Sequence, residues 1–279
     1  MSEVLELYGK ARDEGTDWTE VFRREKCPFL DRKCTKTRKS TPEITIGTCT
    51  VLYGREARPI VICPNRLLER NQVFIDCLHL LTLHEPGNEL HIVPEITIPG
   101  GSVDYFLLSV KKNKVRDFVG IELQSLDTTG TVWPARQSFL TDKGIMAETD
   151  HAPKSFGMNW KMTAKTTLVQ LNHKIQTFEN AGKHLVLVIQ NVFFEYMRRE
   201  FQFDHIGNAR LGDTMHIHTY NLNKIESGSM HLELDSRYGT DANGIALSLG
   251  LQVDPNLALE EMIRILEAKI SPNTLFTLR

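Results

Sequence analysis

The sequence predicts an α/β protein in which a mixed central sheet is flanked by helices, with a cysteine-bearing elaboration at its N-terminal end. Three observations carry that prediction. Phe118 to Gln124 alternates, with Val119, Ile121 and Leu123 on one face and Gly120, Glu122 and Gln124 on the other, the period of a strand with one buried face. Ala164, Leu168, Leu171, Ile175 and Phe178 recur at steps of four, three, four and three, one face of a helix of several turns. Leu185-Val-Leu-Val-Ile189 is short, continuous and aliphatic, as a strand buried on both sides should be.

The other elements fit around these. Val73, Phe74, Cys77, Leu78 and Leu81 give Arg70 to Leu81 the spacing of an amphipathic helix. His91 to Ile98 is rich in β-branched residues and ends at Pro99-Gly-Gly101, a turn into Ser102 to Ser109, so this pair is expected to form a hairpin. Residues 111–117 read as a polar connection and Thr128 to Asp150 as a loop; Asn180-Ala-Gly-Lys183 ends the long helix. Residues 191–255 are the least legible, and Leu257 to Ile270 reads as a helical tail. With no repeat or long linker, the expected organisation is one compact unit. Residues 1–66 form an N-terminal helix and four-cysteine segment, and residues 67–279 form the core with its C-terminal helical elaboration.

Composition narrows the functional classes. With 41% hydrophobic and 24% charged residues, the chain is too apolar for disorder. The longest purely aliphatic run, Leu185 to Ile189, is far short of the roughly twenty residues of a spanning helix. Glu3 and Glu6 stand where a secretory signal would be basic, so a cytoplasmic protein is expected, with no membrane partner. The net charge of −2 hides an asymmetry. Between Arg23 and Lys39, eight Lys or Arg face two acids, a local excess of +6 that suits a polyanion.

Five cysteines, at 27, 34, 49, 63 and 77, all lie in the first third. An odd number without a signal segment argues against a disulfide framework. Cys27, Cys34, Cys49 and Cys63 suffice for a closed tetrahedral metal site, and the basic run around them should keep the thiols ionised. The alternative is that they are small buried hydrophobes, the reading preferred for Cys77 in its apolar stretch.

Asp104 and the pair Glu122 and Gln124 are the residues suited to chemistry. Strand side chains repeat every two residues, so Glu122 and Gln124 share a face; if the strands are adjacent, Asp104 meets them there. Two carboxylates at a sheet edge form an oxygen-rich site for Mg²⁺, which polarises a phosphodiester and lowers the pKa of water. Gln124 would orient that water, and Glu95 would add an oxygen ligand. The order Asp, E-x-polar, helix, buried strand is the plan of the PD-(D/E)XK nuclease core.

Longer stretches sharpen this reading: Cys27-Pro-Phe with its downstream cysteines, Ile62-Cys-Pro-Asn-Arg-Leu-Leu-Glu69, Pro94-Glu-Ile with Ser102-Val-Asp104-Tyr, Gly120-Ile-Glu-Leu-Gln124, and Asn159-Trp-Lys-Met-Thr-Ala-Lys165. Over roughly residues 25–220 the chain resembles the NotI type of type II restriction endonuclease. That resemblance implies a Mg²⁺-dependent homodimer cutting both strands of a GC-rich palindrome, accompanied by a cognate DNA methyltransferase. It further implies Asp104, Glu122 and Gln124 at the catalytic positions with Glu95 as an added acid, and a structural iron on Cys27, Cys34, Cys49 and Cys63. Four thiolates alone do not separate iron from zinc.

Gln124 replaces the lysine of the broader nuclease pattern, and an amide offers no positive charge to the transition state; Lys161 and Lys165 on the following helix are candidates to supply it. For the double-stranded DNA partner, Arg32, Lys33, Lys36, Arg38 and Lys39 are candidate phosphate or groove contacts, with Arg136 and Gln137 as weaker ones. His216-x-His218 is expected to serve the surface or a hydrogen bond. Trp133, Trp160, Phe193 and Phe194 are expected in the core or an interface. P-loop, serine-hydrolase and zinc-protease motifs are absent. The competing functions are a non-catalytic DNA-binding module, a structure-directed repair nuclease, and a rubredoxin-like electron carrier.

Overall fold

A computed structural model describes residues 3–13, 15–146 and 156–251, with 263, 264 and 267. The principal strands are β1 (Glu3–Leu7), β2 (Thr48–Tyr53), β3 (Arg58–Val61), β4 (Glu89–Ile98), β5 (Gly101–Lys111), β6 (Lys114–Gln124), β7 (His184–Gln190), β8 (Met215–Lys224) and β9 (Met230–Thr240). The helices are α1 (Trp18–Arg24), α2 (Gln72–Ile75), α3 (Trp133–Asp142), α4 (Trp160–Ala181), α5 (Asn191–Glu200) and α6 (Ala242–Ser248).

A seven-stranded mixed sheet forms the centre, in the order Gly207–Asn208, β9, β8, β7, β6, β5, β4. β6, β7 and β8 run parallel, and antiparallel hairpins flank them on both sides. The parallel strands are covered on both faces, as strands linked by crossover helices must be. Leu185, Leu187 and Ile189 of β7 pack with the α4 residues Leu168, Leu171, Ile175 and Phe178. Val186 and Val188 pack on the opposite face against Leu67, Leu68, Val73 and Phe74. Gly120 of β6 faces α4 where a Cβ would come within 2.4 Å of the Phe178 ring, so only glycine lets helix and sheet approach there.

A smaller sheet, Lys10–Ala11, β1, β2 and β3, carries the N-terminal third. It is tied to the ends of β6 and β7. Gln190 accepts from the Val61 amide at 2.9 Å and donates to Pro59 O at 2.7 Å, and the Leu126 amide donates to Val61 O at 3.1 Å. Trp18, Leu7, Phe139 and Leu140 form a satellite core beneath α3.

The predicted β4–β5 hairpin, the alternating strand, the long helix and the buried strand are all present. Several expectations need correction. Arg70 to Leu81 is not one helix: Arg70 and Asn71 adopt left-handed backbone with φ of 53° and 57°, leaving only α2 between two short 3-10 turns. The polar connection at 111–117 is a two-residue turn. Lys112 and Asn113, with φ of 50° and 58°, fit the twist of a tight hairpin, and β6 already begins at Lys114. The presumed loop after Thr128 contains α3, and residues 191–255 supply α5, β8, β9 and α6. The expected tail Leu257 to Ile270 falls outside the described residues except at positions 263, 264 and 267.

Candidate active site

Three adjacent strands set the carboxylates in a row. The β5–β6 register pairs Tyr105 with Ile121 and Phe106 with Gly120, so Asp104 falls opposite Glu122. The β4–β5 register pairs Tyr105 with Pro94 and Val103 with Ile96, so Glu95 falls opposite Asp104 on its other side. Asp104 Oδ2 accepts from the Leu123 amide at 2.8 Å, which fixes the carboxylate against β6. Burial pushes the Asp104 carboxyl up, partly offset by the Leu123 amide and Lys174 and reinforced by Glu95. Burial pushes Glu122 up to about 7, against the hydrogen bond from Lys174 and together with the charge on Asp104. Glu95 is exposed in left-handed backbone at φ 52° and does not line the cleft described next.

Asp104, Glu122 and Gln124 line one cleft of about 560 Å³, together with Ser102, Asp127 and Lys174. Gln124 Nε2 donates to Ser125 O at 2.7 Å, which leaves Oε1 as the acceptor that can receive a water proton. Among the described residues, two cations line this cleft: Lys36, whose ammonium is tied to Ile62 O, and, at the carboxylates, Lys174. The Lys174 ammonium lies 2.6 Å from Glu122 Oε1, and these two side chains are 8% and 12% exposed. Lys161 and Lys165, expected in that part, stand on the solvent side of α4. The sequence did carry a signal for Lys174: it interrupts the apolar stripe of Leu171, Ile175 and Phe178, where a charge needs a partner.

The turn between β4 and β5 holds α4 in place for this contact. Gly100 adopts φ +98°, and a Cβ there would fall 2.1 Å from His173 O. Thr177 Oγ1 donates to Pro99 O at 2.9 Å. The Pro99-Gly-Gly101 turn thus seats against the helical turn that bears Lys174.

The N-terminal cysteines converge. Cys27, Cys49 and Cys63 are buried, Cys34 is half-buried, all are free thiols, and the four are close enough to disfavour one another's ionisation. Burial pushes the Cys27, Cys49 and Cys63 thiols up, which reverses the expectation that the basic run keeps them ionised; Arg32 and Lys36 offset burial only in part. Among the described residues no three His, Cys, Asp or Glu side chains stand in a metal-holding arrangement. Cys77 is fully buried elsewhere, in the apolar layer beneath the sheet, as expected.

The basic segment borders the cleft, where Thr35 and Lys36 line its wall. Arg32, Lys33 and Lys39 are exposed, Lys36 Nζ donates to Ile62 O at 3.0 Å, and Arg38 stacks on Trp133 at 4.5 Å. Arg136 and Gln137 belong to the interior, contrary to their expected DNA role. Arg136 is 1% exposed, bonds Ile46 O and Thr45 O, and is joined to Gln137 Oε1 at 2.8 Å. Their polarity serves to cap an otherwise unpaired backbone. His216 and His218 lie on one strand face as expected of β8, but buried and not at the surface. His216 Nε2 bonds Asp213 O at 2.8 Å, and His218 Nδ1 lies 3.8 Å from Cys77 Sγ. Phe193 and Phe194 are core residues, and the half-buried Trp160 ring packs on Tyr196.

No helix among the described residues is long and apolar enough to cross a membrane. No curated protein and no solved structure matches the chain. A family model, restriction endonuclease NotI, matches residues 20–221, a span that takes in the four converging cysteines, the carboxylate row and Lys174. The chain therefore belongs to the NotI restriction endonuclease family, whose members are type II site-specific deoxyribonucleases, hydrolases that act on double-stranded DNA.

Proposed function

We propose that this endonuclease cuts a GC-rich palindrome as a homodimer, by Mg²⁺-dependent phosphodiester hydrolysis in the cleft of Asp104, Glu122 and Gln124 on a PD-(D/E)XK core. The observation that carries the reading is the register that places Asp104 opposite Glu122, with Gln124 two residues on, in one cleft. The donor set fits the ion. It consists of carboxylate and amide oxygens, the hard ligands Mg²⁺ prefers, and it is small enough to leave room for phosphate oxygens. Magnesium, when bound, supplies charge stabilisation at phosphorus and acidifies water.

The chain's own residues do the rest. Asp104 and Glu122 would hold the ion, Glu95 would add an outer carboxylate, and Gln124 Oε1 would accept a hydrogen bond from the attacking water and aim it. Arg32, Lys33 and Lys39 would contact phosphates beside the cleft, with Lys36 and Arg38 fixing the segment that bears them. A palindrome demands two-fold symmetry, each subunit cutting one strand. A cognate methyltransferase would protect the host's own sites.

Cys27, Cys34, Cys49 and Cys63 would hold a structural iron, or zinc in its place. What supports this is four free sulfurs from separate segments, three of them buried, near enough to act on one another's ionisation. Residues 1–66 then act as a metal-stapled layer on the 67–279 core. The two make one compact unit, because Val51, Ile60 and Ile62 share a core cluster with α4 and β7.

Digestion of a fully sequenced phage genome with Mg²⁺, followed by sequencing of the ends, tests the reading. Discrete ends sharing one palindrome, lost in Glu122→Ala, are expected. DNA binding without cleavage under varied salt and metal would instead establish a binding module, and cuts independent of sequence a repair nuclease.

A further inference from the structure

A lysine in the apolar stripe of a long helix is an expensive choice for packing alone. Burying an ammonium requires a partner, and a leucine or methionine at 174 would fill the same space between Leu171 and Phe178 without one. The chain also shapes its backbone around this side chain: a Cβ at Gly101 would lie 3.1 Å from Lys174 Cε, and Gly100 admits the helix backbone at His173. The contact so built is a single-point one, Nζ to Glu122 Oε1 at 2.6 Å, on the wall of the cleft and not in the sealed core.

The charge inventory of the cleft shows what such a lysine can do. The charged side chains lining it are Asp104, Glu122, Asp127, Lys36 and Lys174; Lys36 is held by Ile62 O at 3.0 Å, while Asp104 and Glu122 stand face to face and Lys174 acts electrostatically on both. Gln124, where a cation would stabilise the charge developing on the phosphate, is neutral. Lysine carries its charge on a flexible four-carbon stem and can trade one oxygen for another, which a bidentate arginine in the same place would resist.

We propose that Lys174 is the resident cation of this site: it is the counter-ion of Glu122 in the metal-free protein, yields that carboxylate to a divalent cation, and turns its ammonium to the scissile phosphate. The proposal rests on the endonuclease reading above. It makes Lys174 and the divalent ion competitors for one carboxylate before DNA arrives, and it makes Lys174 the donor of the positive charge that Gln124 lacks.

The test pairs a binding measurement with a kinetic one, on the full chain. Mn²⁺ is titrated calorimetrically into the parent, Lys174→Met, Lys174→Gln and Glu122→Ala proteins without DNA, each first checked for a cooperative melt. Single-turnover cleavage of a duplex carrying the mapped site is then followed at saturating Mg²⁺. Removing the competitor is expected to tighten Mn²⁺ binding about tenfold in Lys174→Met and Lys174→Gln. Removing the transition-state cation should slow cleavage by about 10²–10³-fold in the same variants. A merely structural ion pair gives the opposite binding result, with Mn²⁺ affinity unchanged or weakened, and overturns the proposal. So does cleavage within threefold of the parent rate. If Glu122→Ala is inactive while Lys174→Met cuts like the parent, only the Lys174 inference fails. If the parent neither cuts nor loses Mn²⁺ binding on Glu122→Ala, the endonuclease site itself is misplaced and the inference falls with it.

Discussion

Two of the interior ion pairs among the described residues, Arg66–Glu6 and Lys174–Glu122, differ in their surroundings. Arg66 and Glu6 are each 1% exposed and 2.8 Å apart. All three guanidinium nitrogens of Arg66 donate, to Glu6, to Glu69 at 3.0 Å and to Met230 O at 3.0 Å, while the guanidinium stacks on Phe29 at 5.1 Å. Glu6 is further held by the Thr50 hydroxyl. That pair ties β1 to the 64–71 turn and to the start of β9, with every strong group satisfied. Lys174 and Glu122, by contrast, share one hydrogen bond beside a second carboxylate and an open cleft. A saturated network fixes a fold; an unsaturated pair at a cleft wall is free to change partners.

Breaking each pair gives the largest expected contrast. Arg66→Met strands Glu6 in the interior and should cost about 3–5 kcal/mol of unfolding free energy, read by urea denaturation. Lys174→Met should cost about 1 kcal/mol or less, because Glu122 either meets cleft water or takes up a proton, its pKa already standing at about 7. Equal losses in the two variants would erase the distinction between a structural and an exchangeable pair.

A third buried polar group sharpens the comparison, since no carboxylate among the described residues pairs with it directly and only Asp213, through its charge and its carbonyl, favours protonation of His216. His216 and His218 are buried in the central strand β8; burial, helped by His184 and His79, holds His216 down at about 4, and burial, helped by Arg237 and the neighbouring histidines, holds His218 down at about 3. His184 and His79 are the imidazoles that face them, and Asp213 offers His216 a carbonyl. His216 Nδ1 and His218 Nε2 have no hydrogen-bond partner. The unfolded chain binds protons near pH 6.5 that the folded chain refuses until much lower pH. Stability should therefore be intact above about pH 7 and fall as pH drops below the unfolded value, by roughly 4 kcal/mol at pH 5, about 2 from each histidine. Urea midpoints between pH 7.5 and 5 check this, and His218→Gln should remove about half of the slope. A flat profile would mean that the pair is solvated or already charged.

These regions also explain what the sequence made legible. Periodicity exposed β6, α4 and β7 because each meets one environment along its length: alternating, striped or uniformly apolar. It failed at β8, where His216, His218 and Thr219 are buried polar residues that disguise a central strand. It failed at Arg70 to Leu81, where apolar spacing suits a helix but Arg70 and Asn71 turn left-handed. That Asp104, Glu122 and Gln124 come together is legible because a strand fixes which side chains share a face. The Lys174–Glu122 contact is not legible in the sequence because the partners lie 52 residues apart and only tertiary packing joins them. Arg136 misled for the same reason in reverse, its bonds running to Thr45 and Ile46 in the N-terminal layer.

The smallest effect concerns how α4 is seated. Thr177 Oγ1 donates to Pro99 O from the half-buried side of the helix, one turn beyond Lys174. Thr177→Val keeps the shape and deletes the bond, so it should lower stability by only about 0.5–1.5 kcal/mol. Its value lies in where that loss is felt. If the turn merely closes a hairpin, cleavage per folded molecule will match the parent. If it holds Lys174 at reach of Glu122, the variant should cut a few-fold more slowly at saturating Mg²⁺, and the deficit should vanish in a Lys174→Met background. Non-additivity of that kind is the signature of residues acting through one contact, and additive losses would separate the turn from the site.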